Sequence, residues 1–120
     1  MTEQQPDGHV HGVLIPVDLG EPVVVGTVDA SAAGRWAAVG GAQPEALPLD
    51  GQGTAMFVDE YGKAKRLPRN GRATALADLL RPGFARSDFI AGPALVIGTD
   101  PETGGPADVA DDVVQSLPSG

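Results

Sequence analysis

A single α+β domain, with a mostly antiparallel sheet of about five to six strands and two to three helices packed on it, is predicted by three features of this chain. At 120 residues it is near the commonest domain size, which leaves room for one core. Short β-branched runs alternate with glycine- and proline-containing turns, the pattern of strands joined by hairpins. Other stretches repeat their apolar residues every three to four positions, the spacing of a helix face. Only five aromatics occur, Trp36, Phe57, Tyr61, Phe84 and Phe89, so Val, Leu, Ile and Ala must supply most of the buried area.

Residues 1–10 are polar, carry Pro6 and Gly8, and show no periodicity, which predicts a disordered tail ahead of one domain over 11–118. His9 and His11 close that tail. Two imidazoles are half of a metal site, but no cysteine or further histidine completes one, and no metal or other cofactor is predicted. Val13 to Val17 and Pro22 to Val28 then form an opening hairpin around Asp18-Leu19-Gly20-Glu21. Asp29 is placed to cap a helix through Val39, with Trp36 on its apolar face and Gly40-Gly41 as the stop. Gly34 weakens that helix by about 1 kcal/mol relative to alanine.

Ala42 to Leu49 reads as an irregular strand broken by Pro44 and Pro48, which suit a sheet edge. The Gly51-Gln52-Gly53 that follows precedes a strand, whereas a dinucleotide fingerprint follows a strand and opens a helix, so it is a turn. Thr54 to Val58 is apolar on both faces and therefore central. Tyr61-Gly62 turns the chain, with Lys63 to Leu67 as the expected partner strand. Asn70-Gly71 suits a hairpin, but Ala73, Leu76, Ala77 and Leu80 share one helical stripe, so Asn70 is read as an N-cap and Pro82-Gly83 as the stop. Phe89 to Gly98 is a long strand bent at Gly92-Pro93. Pro106 opens a last helix carrying Val109, Val113 and Leu117.

Charge is segregated along the chain. Residues 63–86 hold Lys63, Lys65, Arg66, Arg69, Arg72, Arg81 and Arg86, seven of the eight cations, against Asp78 alone. The remaining acids flank this island on both sides, and the whole chain carries −8. Such asymmetry speaks about partners rather than fold.

Several function classes are set aside by composition. Without cysteine there is no disulfide framework, thiolate nucleophile or sulfur-ligated metal. The longest apolar runs fall far short of the roughly 20 residues a bilayer demands, and the N-terminus lacks the basic start and apolar run of a secretory signal. A cytoplasmic protein without a membrane partner is expected. Both histidines lie in the expected tail, no G-x-S-x-G occurs, and Asp59 and Glu60, adjacent in a strand, point to opposite faces. No catalytic residue is predicted, and the chain is not expected to be an enzyme.

Three motifs carry a family likeness: Phe57-Val58-Asp59-Glu60-x-Gly62-Lys63, Leu67-Pro68-x-Asn70-x-x-Ala73-Thr74-x-Leu76, and Ile90-x-Gly92-Pro93-Ala94-x-Val96-x-Gly98. Together with Val39-Gly40-Gly41, they make residues 12–117 resemble a small domain of unknown function found in bacteria, plasmids and phages. The resemblance implies a compact α+β fold and a prokaryotic or phage origin, and brings no established chemistry. Pro44 departs from its pattern, which would continue an unbroken strand there.

Two binding functions remain. In the first, Asn70 caps a helix whose free N–H groups around Gly71 form an anion site flanked by Arg66, Arg69 and Arg72, suited to a nucleotide or nucleic-acid phosphate. Against it stands internal neutralisation of those arginines by the flanking acids. In the second, the carboxylates of both flanks share one face and meet a host protein as an acidic, DNA-like inhibitor. Either is compatible with a homodimer.

Overall fold

The computed structural model describes residues 8–51 and 53–117. Its strands are β1 (His9–Ile15), β2 (Val24–Asp29), β3 (Pro44–Asp50), β4 (Thr54–Asp59), β5 (Ala94–Thr99) and β6 (Pro106–Ala107). Its helices are α1 (Ala32–Ala38), α2 (Gly71–Leu80), α3 (Phe84–Ser87) and α4 (Asp111–Gln115). Every pairing is antiparallel, in the order β2-β1-β5-β4-β3 with β6 added to β5. The α+β class expected from the sequence is the fold observed.

The central strands bury both faces. On β5, Ala94 and Val96 enter one core with Val13, Ile15, Met56 and Val58, while Leu95 and Ile97 enter the other with Val10, Val28 and Phe57. Period-two alternation in a two-sided sheet demands this division. The first core is roofed by Ala73, Leu76 and Ala77 of α2 and Val113 of α4. Over the second face lie α1, a helix without a single buried residue, and the connection after it, which supplies Val39 and Ala42.

The opening hairpin forms, Leu14 pairing with Val24 and Val10 with Val28. Of the expected tail, residues 1–7 lie outside the described residues, whereas His9 and Val10 already belong to β1 and His11 is paired with Thr27. β3 is an edge strand with a register shift between Pro48 and Asp50, which is where two prolines are tolerated.

Four expectations are corrected. Residues 63–67 form turns, not a strand: β3 and β5 occupy both edges of β4, so no ladder is open to them. Instead the N–H of Leu67 bonds to the Gly62 carbonyl and Arg66 takes a left-handed φ of 61°. Ser31 rather than Asp29 caps α1, its hydroxyl accepting from the Gly34 N–H, while the Asp29 carboxylate accepts from the Ser31 N–H. Trp36 is 47% exposed and not core, because the close approach to the sheet is made by Gly34 against Asp29. Pro106 begins β6 and not a helix. Asp108 is held to β1 by accepting from the His11 N–H, the Val109 N–H donates to the His11 carbonyl, and α4 starts only at Asp111.

Phe89 to Gly98 bends where expected, Gly92 taking φ +90° and β5 beginning at Ala94. Ahead of the bend, Ala91 bridges Arg69. These connections bring the turns after β4, the start of α2 and the start of β5 to one end of the sheet. The opposite end holds the β3–β4 hairpin, the end of β5, β6 and the start of β1.

Candidate ligand-binding site

Asn70 is the N-cap of α2, as its sequence context predicts, yet its side chain is fully buried. Its Oδ1 accepts from the Ala73 N–H at 3.0 Å, and its Nδ2 donates to the carbonyls of Ile15 and Gly92 at 2.9 and 3.0 Å. The amide thus ties the helix start to β1 and to the bend before β5. Thr74 completes the knot, donating to the Asn70 carbonyl and accepting from the Ile90 N–H. The polar side-chain atoms of Asn70 and Thr74 are thus all engaged within the fold.

Arg72 also turns inward. It is 5% exposed, and its Nη2 donates to the carbonyls of Pro16 and Asp18 at 2.8 and 2.9 Å, clamping the β1–β2 loop against α2. Its buried Nε–H has no acceptor among the described residues, although buried N–H groups are nearly always paired.

The other three expected residues stay at the surface. Gly71 is exposed, with open space where a Cβ would stand. Arg66 and Arg69 are exposed and make no ion pair among the described residues. The Arg69 guanidinium lies 5.1 Å from the Phe89 ring centroid, and Lys63 Nζ lies 4.8 Å from the same ring, cation–π contacts worth about 0.5–1 kcal/mol at exposed positions. Lys63 and Phe89 were not foreseen as site residues. The ring reaches Arg69 through the Arg69–Ala91 bridge, a tertiary pairing without a local signal.

Two carboxylates mark the inner wall of this end. Asp59 is buried and accepts from the Tyr61 N–H and from Lys65 Nζ, each at 2.8 Å. Burial pushes its pKa up, but the Lys65 and Tyr61 hydrogen bonds and the Lys65 charge outweigh that and hold it below the usual value. Asp88 is ion-paired to Lys63, whose hydrogen bond lowers its pKa against the effect of burial. Between them opens a cleft of about 200 Å³, walled by Val58, Asp59, Lys63, Asp88 and Phe89.

A depressed folded pKa contributes stability that is fully present above the unfolded carboxylate value of about 3.9 and lost as pH falls through the folded one. Asp59→Asn is therefore expected to lower Tm near neutral pH, with the deficit shrinking as both proteins are acidified below the unfolded carboxylate value. Thermal melts across this range check the sign. A deficit unchanged by acid would disconnect Asp59 from the Lys65 pair.

The far end of the sheet is acidic. Asp29, Asp50, Asp100, Glu102, Asp108, Asp111 and Asp112 lie there, on segments 8–11, 29–33, 50–54 and 99–112, which contain no lysine or arginine. Asp29 and Asp50 come from the N-terminal acidic flank and the others from the C-terminal one. Four of these carboxylates each accept from a nearby backbone N–H: Asp29 from Ser31, Asp50 from Thr54, Asp100 from Glu102 and Asp108 from His11.

A six-stranded antiparallel sheet with an end free of lysine and arginine, and with the cations of 63–69 gathered at the other end beside Asp59 and Asp88, defines a small α+β domain of uneven charge distribution. The chain belongs to the family described as Domain of unknown function (DUF3846), whose pattern matches residues 12–119. No curated protein and no solved structure matches it. Among the described residues no helix is long and apolar enough to cross a membrane.

Proposed function

We propose that this is a non-enzymatic binding protein of a bacterial mobile element or phage, cytoplasmic, that holds a phosphate-bearing ligand on the cationic end of its sheet. The observation that carries the reading is that Arg66 and Arg69, on the segment leading into the open Gly71 start of α2, remain exposed and make no ion pair among the described residues. Arginine grips phosphate in two places at once, and a helix start adds positive potential. Arg69 and Lys63 converge on Phe89, whose ring holds the Arg69 guanidinium in place at the surface. The acidic far end would repel a long polyanion, which favours a nucleotide or a short single strand over an extended duplex.

In this reading Asn70 and Arg72 act as the frame, so the test leaves them intact. The Arg66→Ala, Arg69→Ala double variant is expected to fold with a stability within about 1 kcal/mol of the parent, the worth of the lost Arg69–Phe89 contact, and to lose the upward thermal shift that nucleotides or short oligonucleotides cause in the parent. No shift in the parent with any nucleotide or oligonucleotide defeats the reading.

A second reading, an acidic inhibitor that meets a host nucleic-acid enzyme, is favoured by one observation: carboxylates from both flanks collect at the far end without a cation among them. A host enzyme bound through low-salt attraction, with no nucleotide shift, would select it over the first.

A further inference from the structure

The two edges of the sheet are treated differently. β3 carries Pro44, Pro48, Glu45 and a register shift, all devices that keep a strand edge from recruiting another chain. β2, the opposite edge, is Val24-Val25-Gly26-Thr27-Val28-Asp29, with no proline, no lysine and one charge at its end. Val24 is 48% and Val25 43% exposed. Along β2, alternate N–H and C=O groups point away from β1, and no strand among the described residues lies on that side.

We infer that β2 is a docking edge for an extended segment of another protein, one with an apolar, β-branched middle and lysine or arginine at its ends. Addition of a strand gives main-chain hydrogen bonds, and the side chains beside the edge set the choice of partner. Here the middle of the edge is uncharged, while exposed Asp18 and Glu21 stand before it and exposed Asp29 ends it. Basic residues at both ends of the incoming strand meet these carboxylates.

A second copy of the chain fits less well. In an antiparallel self-pair centred on Gly26, Val23 stands opposite Asp29 of the second copy, and Glu21 becomes a diagonal neighbour of that Asp29, about 7–8 Å away. This repeats at the other end of the pair. A parallel self-pair would set the two Asp29 carboxylates side by side. Like charges directly opposite, as in the parallel pair, are destabilising, and the antiparallel pair gives Asp29 no opposite charge, whereas a basic-flanked strand meets these carboxylates with opposite charge.

The experiment titrates the full chain with the fluorescent peptide Lys-Lys-Val-Thr-Val-Thr-Val-Lys-Lys and reads anisotropy. Saturable binding is expected, weakened roughly tenfold or more by N-methylation of alternate peptide bonds, which removes ladder donors while keeping every charge, and by replacing the flanking lysines with glutamates. Glu21→Lys, an exposed loop change, should weaken the lysine-flanked peptide and strengthen the glutamate-flanked one. Equal binding of the N-methylated peptide overturns strand addition, and absence of saturable binding overturns the site. A parent that is dimeric by light scattering and is not dissociated by the peptide assigns the edge to a second copy and overturns the choice of occupant.

Discussion

Asn70→Ala is expected to lower the unfolding free energy by about 4 kcal/mol, from a cap worth about 1 kcal/mol and two buried acceptors stranded at about 1–3 kcal/mol each. The amide is fully buried and makes three hydrogen bonds to three different segments, the first turn of α2, the end of β1 and the bend before β5. Alanine leaves the Ala73 N–H and the carbonyls of Ile15 and Gly92 without those partners. Such a loss is a large share of the roughly 5–15 kcal/mol available to a domain of this kind. Asn70→Ser separates the contributions: its hydroxyl can still cap Ala73 but cannot donate to two carbonyls, so it should recover about 1 kcal/mol. Urea unfolding with linear extrapolation measures both variants. A loss below about 1 kcal/mol for alanine would mean that water replaces the amide, and that the end of the sheet carrying Arg66 and Arg69 is not fastened there.

The same residue shows which parts of the molecule are legible from its sequence. Asn70 as a cap, Gly92-Pro93 as a bend and Thr54 to Val58 as a central strand each depend on residues within a few positions of one another, and each is observed. What the side chains reach for is less local. Arg72 follows Asn70 by two positions and reads as a phosphate ligand, but its acceptors lie 56 and 54 residues earlier. Nothing near Arg72 announces that the β1–β2 loop passes over it. Lys63 to Leu67 reads as a strand until the sheet order is known, after which no edge of β4 remains for it.

Charge behaves in the opposite way. Its segregation survives folding for most of the C-terminal flank, because the connections that carry 63–69 lie at one end of the sheet and those that carry 99–112 lie at the other, whereas Asp59 and Asp88 stand among the cations. What changes is the membership of the cationic group. Arg72 leaves it for the interior, Lys65 is spent on Asp59, and Lys63 joins Arg69 over Phe89. The surface that results depends less on the helix start than its sequence implies, and more on the turn between β4 and α2.

Gly34→Ala tests the limit of local reasoning most directly, since propensity and packing give opposite signs. In an isolated helix, alanine at Gly34 would stabilise by about 1 kcal/mol. In the folded chain a Cβ at this position would stand 2.0 Å from the Asp29 carbonyl oxygen and 2.5 Å from the Asp29 carboxyl carbon. Neither can move freely: Asp29 is the last residue of β2, paired with His9, and its carboxylate accepts from the Ser31 N–H at the start of α1. Helix and strand must separate, loosening the cover that α1 gives the second core. The net expectation is a loss of about 3 kcal/mol, at the upper end of the overpacking range, measured by urea unfolding. Gly71→Ala serves as the counterpart, because its Cβ meets nothing within 4 Å; there the propensity term acts alone and a gain of up to about 1 kcal/mol is expected. If both substitutions stabilise, α1 does not rest on Asp29 through its glycine, and the second face of the sheet is more open than the contact between Gly34 and Asp29 implies.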